Sequence, residues 1–78
     1  MVNIILPELG EGIEKAEVVC WHFAQGQTVT PDDDVLELVT DKAVFNVPAP
    51  VAGVITKIHY KEGQEALVGA VLAELREL

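Results

Sequence analysis

The chain has 78 residues, half of them hydrophobic, and a formal net charge of −8. That length fits one small domain with a thin core, burying roughly 60–65% of the surface its unfolded chain exposes, so a large active-site cleft is not expected. The charge argues against nucleic acid or an anionic membrane as partner, and no apolar run approaches the ~20 residues of a membrane span.

Strand signals dominate from the start: short runs of Val, Ile, Leu and aromatics bounded by Gly, Pro and Asp. Residues 2–6 ("VNIIL") form the first run, directly after Met1 and without a signal-peptide pattern. A loop rich in Glu and Gly follows. The second run is 17–24, where Val19, Trp21 and Phe23 share one face and Val18, Cys20 and His22 the other. A short run at 28–30 precedes 35–40. There both faces are apolar, and either a bulge or two-sided burial would explain the pattern. Asp41 and Lys42 break the chain before the next run, 43–47. Asp suits a turn because its side chain bonds nearby backbone N–H groups, but Asp-Lys is not the Asn-Gly or Asp-Gly pair of a primed turn. Pro48 and Pro50 end that strand. In 54–60, Thr56, Ile58 and Tyr60 take the inward places, with Lys57, His59 and then Lys61 outside. Runs at 65–67 and 71–75 close the chain. The segment "EALVGAVLAEL" is the best helical candidate, but Gly69 interrupts it and an internal repeat assigns it to strands.

The repeat aligns "VVCWHFAQGQTV" with "ITKIHYKEGQEA" at an offset of 37, matching His22 with His59 and Gly26-Gln27 with Gly63-Gln64. Further on, "VLEL" and "VLAEL" align at an offset of 36. Two units of about four strands, neither able to bury its apolar face alone, predict a two-layer all-β structure.

Few side chains suggest chemistry. One cysteine, Cys20, excludes an internal disulfide and a Cys-based zinc cluster, and suits a reducing compartment. Cys20 and His22 lack a third group to orient them as a catalytic pair. His22 and His59 have no carboxylate at a recognisable ligand spacing, so no metal site and no catalytic residue are expected. Lys42 stands out because it sits at a hairpin tip where the two halves meet. On pattern alone, an exposed lysine at a turn is a solvated charge.

"TDKAVFNVPAP" resembles the modification hairpin of lipoyl domains, the carriers of 2-oxo acid dehydrogenase complexes within the biotinyl/lipoyl attachment family. "LPELGEGI" is similar to that family's opening strand and loop, and "EGQEALVGAVLAEL" to its closing strands. Gly26 and Gly53 match two glycines flanking the modified lysine. The resemblance covers essentially the whole chain, 1–78, as a single lipoyl domain excised from the N-terminal part of a longer acyltransferase. It implies a flattened β-barrel of two quasi-symmetric four-stranded antiparallel sheets. It also implies that Lys42 carries lipoic acid as an amide, with Asp41 and Ala43 as flanking recognition residues. Glu8, Gly10, Glu11 and Gly12 would help a partner decarboxylase recognise the domain. The implied role is a swinging arm. It takes an acyl group from a thiamin diphosphate-dependent 2-oxo acid decarboxylase and delivers it to an acyltransferase core domain for transfer to CoA. Dihydrolipoamide dehydrogenase then reoxidises it, and a lipoate-attaching enzyme loads it. Pyruvate or branched-chain type is favoured, in the bacterial cytoplasm or the mitochondrial matrix. The isolated domain would not itself be an enzyme.

Three residues depart from the family pattern. Val39 and Asn46 stand where an acidic residue is common, and Phe45 is bulkier than usual. These bear on how a modifying enzyme reads the hairpin. Two alternatives remain: an unmodified lipoyl-like interaction module, and a biotin carrier. The second usually places methionines beside the lysine, whereas the only methionine here is Met1.

Overall fold

Alternating apolar residues between turn-forming Gly, Pro and Asp give eight strands and no helix. The computed structural model describes all residues, 1–78. The strands are β1 (Val2–Ile5), β2 (Lys15–Trp21), β3 (Thr28–Val29), β4 (Asp34–Val39), β5 (Val44–Pro48), β6 (Gly53–Ile58), β7 (Glu65–Leu67) and β8 (Val71–Glu77). All eight expected runs are strands, with ends moved by at most three residues. Having no helix, the chain has none long and apolar enough to cross a membrane.

Two four-stranded antiparallel sheets form, ordered β1-β8-β6-β3 and β5-β4-β2-β7. The sheets are not the two sequence halves. Each takes two strands from either half, so the halves interleave. Fifteen buried apolar residues fill the space between the sheets, and no polar residue is buried. Ile4, Leu36, Leu38, Ile55, Leu72 and Leu75 are among its largest members. Each fully buried side chain of this kind contributes about 1.5–3 kcal/mol.

The repeat is more regular than the sequence alignment predicts. An offset of 37 holds through the last strands as well, placing Val35 on Leu72 and Leu38 on Leu75. The burial patterns of β4 and β8 agree at their first five places, apart from the exposed Asp34 against the half-buried Val71. Hydrogen bonds recur with partners exchanged. The Gly26 N–H donates to the Ile55 carbonyl at 2.7 Å, and the Gly63 N–H to the Val18 carbonyl at 2.8 Å. The Ile55 N–H donates to Gln27 O at 3.0 Å, and the Val18 N–H to Gln64 O at 2.9 Å. Each half's turn is therefore tied to the other half's strand.

The expected inward faces are right only beyond a bulge in each half. The register shifts between Val18 and Cys20 and again between Ile55 and Lys57. Each extra residue reverses the alternation. Val18 and Ile55 are fully buried, while Val19 is 39% exposed and Thr56 is half-buried, its hydroxyl donating to Glu74 O at 3.1 Å. Past the bulges, Trp21, Phe23, Ile58 and Tyr60 do pack against the core. The two-sided apolar run in β4 has the same origin. Its register shifts between Asp34 and Leu36, and Val35 and Leu36 are both buried.

The molecule measures 35 × 21 × 19 Å along its principal axes. The β4–β5 turn lies at one end. The 22–27 loop leaves β2 at the other end and bonds to Ile55, which pairs with Leu75, itself the partner of Val2. The Val2–Leu75 pair of the first and last strands thus lies far from the β4–β5 turn.

Candidate functional site

β4 and β5 pair through Val39 and Val44, leaving residues 40–43 as the tip. Its closing contact is the Thr40 N–H donating to the Ala43 carbonyl at 2.9 Å. No residue other than glycine has a positive φ, so the tip is not a primed turn. Unprimed turns splay the strands they join. Here the Thr40 hydroxyl takes up the slack. Its Oγ accepts from the N–H groups of Lys42 and Ala43, each at 3.1 Å, and lies 3.2 Å from Ala43 O, to which it can donate. The side chain of Asp41, expected to bond this backbone, makes no hydrogen bond; Thr40 does that work instead. A threonine just before a polar two-residue break is a recognised turn former, and that signal could have singled it out.

Asp41, Lys42 and Ala43 are all exposed. The ion pairs of the molecule are Lys15–Glu65 at 3.5 Å and His59–Glu74 at 2.7 Å. Lys42 belongs to neither, despite the acidic surface.

The long loop 6–14 lies beside this tip. Buried Leu6 and the carbonyl of Glu14 pin its two ends to the β7–β8 turn: Leu6 N–H to Ala70 O, Gly69 N–H to Leu6 O and Val68 N–H to Glu14 O, each 2.9 Å. Between those pins the chain crosses to the lysine. Lys42 Nζ lies 3.8 Å from where a Cβ on Gly12 would stand, and Gly12 has φ +82°, a conformation that favours glycine. The structure thus brings Gly12 to Lys42. Glu8, Gly10 and Glu11 are exposed on the same loop, with no hydrogen bond from either Glu side chain. By the repeat, the counterpart of this loop is only residues 49–52, so the quasi-symmetry is broken next to the lysine. A groove of about 620 Å³ runs from Gly12 and Ile13 past Thr40 and Asp41 to Leu67. Val39, Glu17 and Glu65 occupy one cross-strand row along it.

The other candidates lie apart. Cys20 sits on β2, one bulge and two pairs away from Val39. Desolvation, helped by the charges of Glu37 and Glu62, pushes its thiol up from the usual cysteine value. Less thiolate is then present at neutral pH. Alkylation by iodoacetamide at pH 7.5 is expected to run several-fold slower than for a cysteine in an unstructured peptide, with the rate still rising above pH 9. A rate equal to the peptide's would contradict this. His59 pairs with Glu74, and His22 lines a separate groove with Trp21 and Phe23.

Comparison with known proteins points the same way. The family model described as "Biotin-requiring enzyme" (Biotin_lipoyl) matches residues 2–75. The dihydrolipoyllysine-residue acetyltransferase component of the pyruvate dehydrogenase complex from Staphylococcus aureus (strain N315) is 39% identical over 70 residues, covering 90% of this chain. The same component from Staphylococcus epidermidis (strain ATCC 12228) is also 39% identical over 70 residues. The chain spans 16% of the length of these curated relatives. Among solved structures, the lipoyl domain of the 2-oxoglutarate dehydrogenase complex from Azotobacter vinelandii superposes with a TM-score of 0.79 at 35% identity. That match covers 99% of this chain and 98% of the other.

Proposed function

The chain belongs to the biotin/lipoyl attachment family as a lipoyl domain, and from that premise we propose that Lys42 is its attachment residue. The observation that carries the reading is a primary amine at an exposed hairpin tip, in no ion pair, at the end of the molecule away from the Val2–Leu75 pair. Those features suit an amide-linked lipoyl arm: the nitrogen is accessible, and neither a carboxylate nor a covering loop holds it. When bound, the dithiolane supplies a disulfide able to accept an acyl group with two electrons. The chain's own residues do the rest. The β4–β5 hairpin holds the amine clear of the barrel. Gly12 leaves room beside it. Asp41 and Ala43 flank it for the lipoate-attaching enzyme, while Glu8, Gly10, Glu11 and Gly12 offer the decarboxylase a second strip next to the lysine. A tethered arm raises the local concentration of its acyl group at each site it can reach.

The domain is then one segment of a longer acyltransferase, serving the decarboxylase, the acyltransferase core and dihydrolipoamide dehydrogenase in turn. The pyruvate dehydrogenase relatives favour acetyl groups as its cargo, and their bacterial sources favour a cytoplasmic setting. Asp41 and Ala43 in place of methionines weigh against biotin. Incubation with lipoate, ATP and a lipoate-attaching enzyme should add one lipoyl mass, mapped by peptide mass spectrometry to Lys42. A biotin increment with biotin ligase instead, or a lipoyl on another lysine, would reject the assignment.

A further inference from the structure

We propose that Thr40 is the positioning residue of the attachment lysine, its hydroxyl fixing the main chain of 41–43 so that the Lys42 side chain leaves the tip from one fixed backbone position. The inference rests on Lys42 being the modified residue. Loading forms one bond and breaks one. Nζ attacks the carbonyl carbon of an activated lipoyl donor, an acyl adenylate. The acyl–phosphate bond breaks, the nucleotide leaves, and the nitrogen gives up a proton to solvent. Geometry decides the rate of such a step, because the amine must meet a carbonyl held in another protein.

Little else orders the tip. One main-chain bond closes it, from the Thr40 N–H to the Ala43 carbonyl, and the side chains of Asp41 and Lys42 make no hydrogen bond. The reciprocal bond, from the Ala43 N–H, goes to the Thr40 hydroxyl, as does the N–H of Lys42 itself. One oxygen thus satisfies both donors and lies within donating reach of the Ala43 carbonyl. Without it, those two residues regain backbone freedom. The attaching enzyme would have to order the tip on binding.

Thr40→Val keeps the shape and removes the hydroxyl; Thr40→Ser keeps the hydroxyl. In steady-state lipoylation, Thr40→Val should lower kcat/KM roughly tenfold, mainly through KM, and Thr40→Ser should stay within about threefold of the parent chain. Amide exchange at Lys42 and Ala43 should speed up in Thr40→Val while the Leu38–Phe45 ladder keeps its protection. Thr40→Ala guards against a steric effect of valine and should match it. Equal kcat/KM for the parent chain and Thr40→Val overturns the inference alone. So does a Thr40→Ser variant as slow as Thr40→Val. A parent chain that takes up no lipoyl overturns the reading of Lys42, and this inference with it.

Discussion

Lys42→Ala yields a folded domain that gains no lipoyl mass and passes no acyl group. The side chain is exposed and in no ion pair, so its removal should change stability by no more than about 0.5 kcal/mol. Its loss removes the nitrogen to which the arm would be joined, so the effect on function is total. Intact mass and a decarboxylase-coupled acylation assay read the two consequences separately, with circular dichroism as the control for folding. Lys42→Arg sharpens the result. It keeps the charge and length but offers a guanidinium, a poor nucleophile at neutral pH. Acylation that survives in either variant would move the attachment point to Lys15, Lys57 or Lys61.

Gly53→Val should damage the fold. The reason differs from the one its match to a family glycine suggests. Gly53 has no positive φ, so backbone conformation does not demand glycine there. Space does. A Cβ at 53 would stand 2.7 Å from the Arg76 carbonyl oxygen and 3.3 Å from its carbon. These are backbone atoms of the paired strand and cannot swing aside. The repeat shows that the demand is local. Ala16 is the counterpart of Gly53 and carries its Cβ in the core. Overpacking of this kind costs about 1–3 kcal/mol. In a domain of this size that lowers Tm by on the order of 10 °C. A melting temperature within about 2 °C of the parent chain would show that β8 moves aside freely.

Much of the fold was legible because strands announce themselves by breakers. Asp41-Lys42, Pro48-Ala49-Pro50 and Gly26-Gln27 each end a run where the structure ends it, to within a residue or a few. The all-β class, the repeat and the exposed lysine follow from such marks. Sheet membership does not, because β2 and β6 carry nothing that says which sheet they join. The bulges at Val19 and Thr56 were hidden for a related reason. Both residues are good strand formers, and an inserted residue leaves no local trace except a change of parity. The site was legible at Lys42. At Thr40 a turn-forming residue was visible, but its hydroxyl gains weight only once the tip is known to be unprimed. The approach of Gly12 to the lysine amine joins two distant segments, which no local pattern encodes.

The exchanged bonds between the halves have a consequence for how the chain reaches this state. The Gly26 turn closes on β6 and the Gly63 turn on β2, so neither turn is complete until both halves are present. A half-chain collapsed by itself would leave those amides unpaired against an exposed apolar face. The landscape therefore lacks a stable halfway point, and assembly must close long stretches of chain before any of these contacts is rewarded. A carrier built this way is expected to fold slowly for its size and to come apart as one unit. The hairpin tip, tied down by one hydroxyl, can loosen without disturbing the rest.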